Sequence, residues 1–269
     1  MDKSTGVDDM LENDRFHELK FMFDLFKLRA ESLKFFQKKI FDYITDRGEK
    51  IVDEKQSEET RIINLIKFRA KLYKFLHDSF NRDYAMEGTL TKSFDEFISK
   101  SSTTTKDLNK YIDKMFHNEF KNISQDDMEQ KVQEAIGIFS HILDKDFFES
   151  LYRTSLAKRL MNTESKGASI LQDAEKEMIK YLKKDIGASY TQRLEVMLAD
   201  VESSIDQMTN FKDSALVKSI KCEFQAKVLT AGSWPRFNRD EAAKSSSQSI
   251  PPEIQSCMDS FQTYYLSKF

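Results

Sequence analysis

The sequence predicts an all-α protein: two helical modules followed by a small mixed segment. Three observations carry that expectation. The 269 residues include only 7 Gly and 3 Pro, under 4% of the chain where about 12% is usual, so the tight turns of a β-sandwich or barrel cannot be supplied. Charged residues reach 32% and apolar ones 39%, with 22 Phe, which describes amphipathic helices with an aromatic buried face rather than a disordered chain. Apolar positions recur at three and four along most of the chain, the helical period. The length suits one or two domains and can bury a core without crosslinks.

Phe16, Leu19, Phe23, Phe26, Ala30, Leu33, Ile40 and Ile44 form one stripe interrupted only by Gln37, so a single long helix is expected from Phe16 to a stop at Gly48. A second helix starts at the cap residue Ser57, with Glu58 and Glu59 in its first turn and Ile62, Ile66, Ala70, Tyr73, Leu76 and Phe80 along its stripe. The two faces suit an antiparallel pair. After the turn at Asn81 to Asp83 come a weaker helix around Leu90, Phe94, Phe97 and Ile98, the polar break Ser101 to Thr105, and a helix with Leu108, Tyr111, Ile112 and Met115. These make a first module over residues 14–121.

Ser124, with Asp126 and Asp127, opens another helix that continues through Met128, Val132, Ala135, Phe139 and Ile142. Asp144 caps the next, which carries Phe147, Leu151, Leu156 and Leu160. Its successor holds Ile170, Ala174, Met178 and Leu182 and stops at Gly187. Tyr190, Leu194, Met197, Val201, Ile205 and Met208 mark a fourth. Four consecutive amphipathic helices with short connections predict a four-helix bundle over residues 124–217. In residues 218–269 the period changes. Phe224, Ala226 and Val228 lie on one side of a period-two run, which predicts a short strand ahead of a turn at Gly232 to Pro235. A Ser-rich loop, Lys244 to Ser249, leads to Pro251, Pro252 and a last helix with Ile254, Met258, Phe261 and Tyr265.

Charge excludes some functions. Forty-five acids against 42 bases leave −3, too even for nucleic acid or an anionic membrane to be held by bulk electrostatics. Met1 to Asn13 carries charges where a signal peptide has its apolar core, and no run approaches the ~18 apolar residues of a transmembrane helix. Two cysteines, Cys222 and Cys257, form no metal-type pair and suit a reducing compartment. His17, His77, His117 and His141 stand far apart, the glycines are scattered singly, and no nucleophile and base stand out among the many carboxylates. No metal, cofactor or catalytic residue is expected. The residues alone point to a non-enzymatic helical scaffold.

One stretch says more. Between Asp144 and Asp200 the motifs DKDFFE, LAKRL, DAEKEMI, LKKDIG and YTQRLEVMLAD follow in order, and VLTAGSWP (Val228 to Pro235) and IPPEIQSCMDSFQTYYLSKF (Ile250 to Phe269) come after them. This series resembles the homology region of the cullins, the scaffolds of multi-subunit ubiquitin ligases, and GSWP leans toward the subfamily that works with F-box receptors. The helices before Asp144 resemble the last cullin repeat. The resemblance implies a repeat-like module, a four-helix bundle and a partial α/β segment in a protein of the cytoplasm and nucleus. It also implies a chain shortened at both ends, without the repeat that binds a substrate-adaptor and without the winged-helix domain that takes a ubiquitin-like modifier.

Partners follow from the same resemblance. In cullins the strand matching Phe224, Gln225, Ala226, Lys227, Val228, Leu229 and Thr230 belongs to the sheet into which a RING-box protein inserts its own strand, and proline at Val228 is expected to weaken that pairing. Here the alternative is an ordinary strand. Lys158 and Arg159, on LAKRL, match a basic surface that attracts a ubiquitin-conjugating enzyme; the alternative is a solvated helix C-terminus where the dipole favours cations. A helical tether or rod of intracellular trafficking would have the same composition, but has no reason to carry these motifs in this order.

Overall fold

The stripes and caps become eleven α-helices in a computed structural model that describes residues 6–120, 123–162, 168–214, 216–217, 223–236 and 250–268. They are α1 (Val7–Glu12), α2 (Phe16–Lys27), α3 (Ala30–Asp53), α4 (Glu58–Asp78), α5 (Tyr84–Lys100), α6 (Thr104–Lys114), α7 (Gln125–Phe139), α8 (Lys145–Met161), α9 (Ala168–Ile186), α10 (Ala188–Lys212) and α11 (Pro252–Lys268). A π-helical turn, Met115–Glu119, extends α6. No strand forms among the described residues.

The start signals act as local chemistry requires. Ser57 Oγ accepts the Thr60 N–H at 3.2 Å, the Asp83 carboxylate accepts those of Ala85 and Met86, Ser124 Oγ accepts that of Asp127, and Asp144 accepts that of Phe147 at 2.9 Å. Each satisfies a donor that the first helical turn leaves without an intrahelical acceptor. Gly187 takes φ +94° between α9 and α10, a conformation for which glycine has no steric penalty.

Two expectations for the N-terminal region are corrected. The single helix from Phe16 to Gly48 is two, because Arg29 is extended (φ −136°, ψ 128°) and α2 ends with the Leu28 N–H on the Leu25 carbonyl and the Arg29 N–H on that of Phe26. The bend lets Phe23 and Phe26 of α2 fold back on Phe36 of α3, at ring-centroid distances of 6.1 and 5.4 Å, with Phe80 against both Phe23 and Phe36. Gly48, taken from sequence as a stop, lies buried inside α3. A Cβ there would overlap the ring of Phe97, so this glycine permits a close helix crossing.

The chain forms two compact units, Met1–Leu151 and Tyr152–Phe269. In the first, α3 lies chiefly along α5 rather than α4, and α4 along α6. Arg61 of α4 pairs with Asp107 of α6 in a largely buried bridge, while Glu58–Lys110 and Glu59–Lys114 line the exposed side of the same two helices. The sequence divides the chain near residues 121–124. Instead α7 packs on α4 and α6, and the division falls within α8. The apolar stripe of α7 therefore completes the first core.

In the second unit α9 packs on α10. Tyr152, on α8, donates its hydroxyl to Glu175 Oε2 of α9 at 2.5 Å, and Arg159 Nε donates to Glu175 Oε1 at 2.5 Å. Burial first, and the Glu175 charge second, push the Tyr152 phenol well above its ordinary pKa. Toward the C-terminal end, Met208 and Phe211 of α10 and Tyr264 of α11 form a small apolar core against which Val217, Phe224, Ala226 and Phe261 pack. The Ser-rich loop Lys244 to Ser249 and Cys222 lie outside the described residues.

Candidate partner-binding segment

The run from Phe224 to Thr230 is not the strand its period-two pattern predicts, and α10 explains why. Asp200 and Ser204 stand one helical turn apart on α10, a rise of about 6 Å. Val228 and Thr230 stand two residues apart, about 6.6 Å in an extended chain. The two spacings match. The Val228 N–H donates to Ser204 Oγ at 2.9 Å and the Thr230 N–H to Asp200 Oδ2 at 2.7 Å. Farther back along the segment, Ala226 and Phe224 pack against the apolar core of Met208, Phe211 and Tyr264, with the Phe224 ring 6.1 Å from that of Phe261. The segment thus runs extended and antiparallel to α10. Helix side chains, rather than a second strand, take the backbone donors of Val228 and Thr230.

Asp200 binds more than one donor. Its Oδ1 accepts the Thr230 hydroxyl at 2.8 Å and its Oδ2 accepts the indole N–H of Trp234 at 2.7 Å. Trp234, the chain's only tryptophan, is 8% exposed just beyond the turn in which Gly232 takes φ +92°. Ser204, itself buried, donates its hydroxyl to the Asp200 carbonyl at 2.6 Å. The Lys227 ammonium donates to the Leu160 and Met161 carbonyls at 2.9 and 3.1 Å, neutralising the negative end of α8. Sequence inspection picked out YTQRLEVMLAD and VLTAGSWP only as motifs; their contact through Asp200 has no local spacing that would reveal it.

In an extended chain, consecutive N–H and C=O groups point to opposite sides. The donors of Val228 and Thr230 face α10, so those of Gln225, Lys227 and Leu229 face away. Among the described residues these three N–H groups meet no acceptor. Gln225 is exposed, and Lys227 and Leu229 are half-buried. The arrangement presents one side of a strand, while on its other side α10 holds the donors of Val228 and Thr230.

Lys158 and Arg159 separate. Lys158 is exposed, whereas the Arg159 side chain is 8% exposed, held by Glu175 and set with its guanidinium 5.3 Å from the Tyr152 ring centre. Arg159 therefore braces α8 against α9 and is not part of an open basic surface. Its partner lies sixteen residues on, on another helix, which is why LAKRL alone reads as two surface cations. Among the described residues no three His, Cys, Asp or Glu side chains gather as metal ligands, and no helix is long and apolar enough to cross a membrane.

Residues 1–208 match the family model described as the cullin alpha solenoid domain. The chain belongs to the cullin family. It is 30% identical to cullin-3 and 31% identical to cullin-4 of Dictyostelium discoideum, and 26% identical to cullin-3B of Arabidopsis thaliana, in each case over 98% of its length. These alignments cover 34, 32 and 35% of the relatives, so the chain spans about a third of the length of the curated cullins it matches. Similarity to cullin-3 and cullin-4 does not single out the F-box-linked subfamily that GSWP suggests. The cullin motifs from Asp144 onward supply Arg159, Glu175, Asp200, Thr230 and Trp234, which with Tyr152, between the first two motifs, tie the second unit together.

Proposed function

We propose that the chain is a non-catalytic scaffold component of a cullin-type ubiquitin ligase, acting in ubiquitin-dependent protein degradation in the cytoplasm and nucleus, and that it seats a RING-box subunit on Phe224–Thr230. The observation that carries this is the alternation along the segment: the inward donors of Val228 and Thr230 are held by Ser204 and Asp200, and the outward donors of Gln225, Lys227 and Leu229 are left for another chain. An incoming strand pairing there would gain main-chain hydrogen bonds by β-augmentation. A ubiquitin-conjugating enzyme would be recruited through the RING-box subunit and perform the transfer, with Lys158 as the exposed cation nearest to such a role on α8.

The structure changes which proline tests the idea. Val228 donates inward to Ser204, so proline there loosens the segment, whereas Leu229→Pro removes an outward donor. When the RING-box subunit is co-expressed with the chain, Leu229→Pro is expected to reduce its recovery about tenfold, the effect of losing one buried hydrogen bond. Equal recovery with wild type and Leu229→Pro would refute pairing along this edge. Ubiquitin transfer by the purified chain without a RING subunit would refute the non-catalytic assignment.

A further inference from the structure

From the geometry around α10 we infer that Asp200 and Ser204 are positioning residues for partner capture: they anchor the Val228–Thr230 end of Phe224–Thr230 in an extended form, with the donors of these two residues turned to α10 and the outward ones presented, before any partner arrives. The inference rests on the RING-box proposal and adds to it the device that makes the segment competent.

Three features of the clamp support this. Asp200 is acceptor-only when ionised, and among the described residues it pairs with no cation. All three donors on its carboxylate come from the segment or the turn after it, namely the Thr230 N–H, the Thr230 hydroxyl and the Trp234 indole. Ser204 completes the hold, with its hydroxyl hydrogen on the Asp200 carbonyl and its oxygen on the Val228 N–H. Both residues are thus directed at a stretch that contributes only Phe224 and Ala226 to the adjoining apolar core. A lone extended chain has no neighbouring strand to keep its backbone straight. Without the clamp, the segment would have to be ordered at the moment of binding, at a cost in conformational entropy that lowers affinity.

The chemistry separates positioning from charge. Asparagine at position 200 keeps one carbonyl oxygen, able to accept both the Thr230 N–H and the Trp234 N–H. Its amide group can donate to the Thr230 hydroxyl oxygen, which is itself an acceptor. Alanine offers neither. If the clamp works by geometry, Asn substitutes for Asp and Ala does not.

The test uses the full chain and a purified RING-box subunit. Trp234, as the only tryptophan, reports the clamp without a partner: Asp200→Ala should shift its emission to longer wavelength, and Asp200→Asn should leave it near wild type. RING-box affinity should fall about 10- to 100-fold with Asp200→Ala, corresponding to losing two or three hydrogen bonds, and stay within about threefold with Asp200→Asn. Ser204→Ala, which releases only the Val228 N–H of the segment, and Thr230→Val, which removes only the hydroxyl contact, provide milder variants should Asp200→Ala fail to fold. Residue-resolved amide exchange supplies a readout that general destabilisation would not reproduce. Val228 and Thr230 should be protected in the chain alone, and the partner should add protection at Gln225, Lys227 and Leu229. Asp200→Ala that exposes Trp234 yet binds the RING-box subunit like wild type would overturn the inference and leave the RING-box proposal standing. Absence of binding by the wild-type chain would overturn that proposal, and the inference with it.

Discussion

Replacing Gly48 with alanine should destabilise the first unit, although alanine is the better helix former. In an exposed helix interior the change is worth about 1 kcal/mol in favour of alanine. At Gly48 the new methyl would overlap the ring of Phe97, which is 1% exposed and itself packed on Phe94 at 4.9 Å. A ring enclosed in this way moves only by straining its neighbours, and overpacking of that kind costs about 1–3 kcal/mol. The net effect ranges from about zero to 2 kcal/mol of destabilisation. Gly88, inside α5, provides the reference, because a Cβ there meets nothing within 4 Å and Gly88→Ala should stabilise by about 0.5–1 kcal/mol. The helix-propensity gain cancels between the two variants, so their difference of about 1–3 kcal/mol isolates the contact with Phe97. Urea denaturation followed by far-ultraviolet circular dichroism measures it. Trimming the ring with Phe97→Leu should recover part of the loss in the Gly48→Ala background. If Gly48→Ala and Gly88→Ala stabilise the protein equally, Phe97 does not rest on Gly48 and the account of this helix crossing is wrong.

Three more outcomes follow from the buried polar groups. Glu175→Ala should cost about 3–5 kcal/mol, because it removes the buried carboxylate that balances the Arg159 charge and accepts from the Tyr152 hydroxyl; a loss under about 1 kcal/mol in denaturation would mean that solvent reaches the cluster. Asp107→Ala should be similarly damaging through Arg61, whereas Glu58→Ala, on the exposed Glu58–Lys110 pair of the same helices, should cost no more than about 1 kcal/mol and lose its effect in high salt; equal costs would refute the burial difference between the two bridges. His141 is 5% exposed and bonded through Nδ1 to Asp95 at 2.8 Å. Burial lowers its pKa, opposed by Asp95 and assisted by Arg69 and Lys145. The unfolded chain therefore takes up the proton first, so stability should fall as pH drops below about 6.5, at up to about 1.4 kcal/mol per pH unit until the native imidazole also titrates. His141→Asn should flatten that part of the pH profile; an unchanged slope would assign it to other groups.

Local chemistry was readable where a residue acts on its own neighbours. Ser57, Ser124, Asp144 and Gly187 mark helix ends in the sequence and in the fold. What the sequence concealed depends on residues far apart along the chain. Gly48 resembles a stop until Phe97 is seen against it, and Arg159 resembles a surface cation until Glu175 arrives from another helix. The period-two run after Glu223 did signal an extended segment, but not that α10 would stand in for its second strand. The family motifs picked out Asp200 and Trp234 as members of separate signatures, with no indication that one binds the other.

The bend at Leu28 and Arg29 bears on the order in which the first unit folds. No proline or glycine enforces it, and the apolar stripe runs straight through, so a local segment has no reason to interrupt its helix there. What opposes continuation is the packing of Phe23 and Phe26 on Phe36, with Phe80 closing the cluster from beyond α4. Residues 16–53 alone should therefore tend toward one continuous helix, and the corner should form only once those rings collapse together. If that collapse belongs to the folding transition state, trimming Phe36 or Phe80 slows folding more than it speeds unfolding, whereas changes at exposed Leu28 leave both rates nearly untouched. A corner made by side chains elsewhere in the chain is thus a kinetic checkpoint as well as a shape.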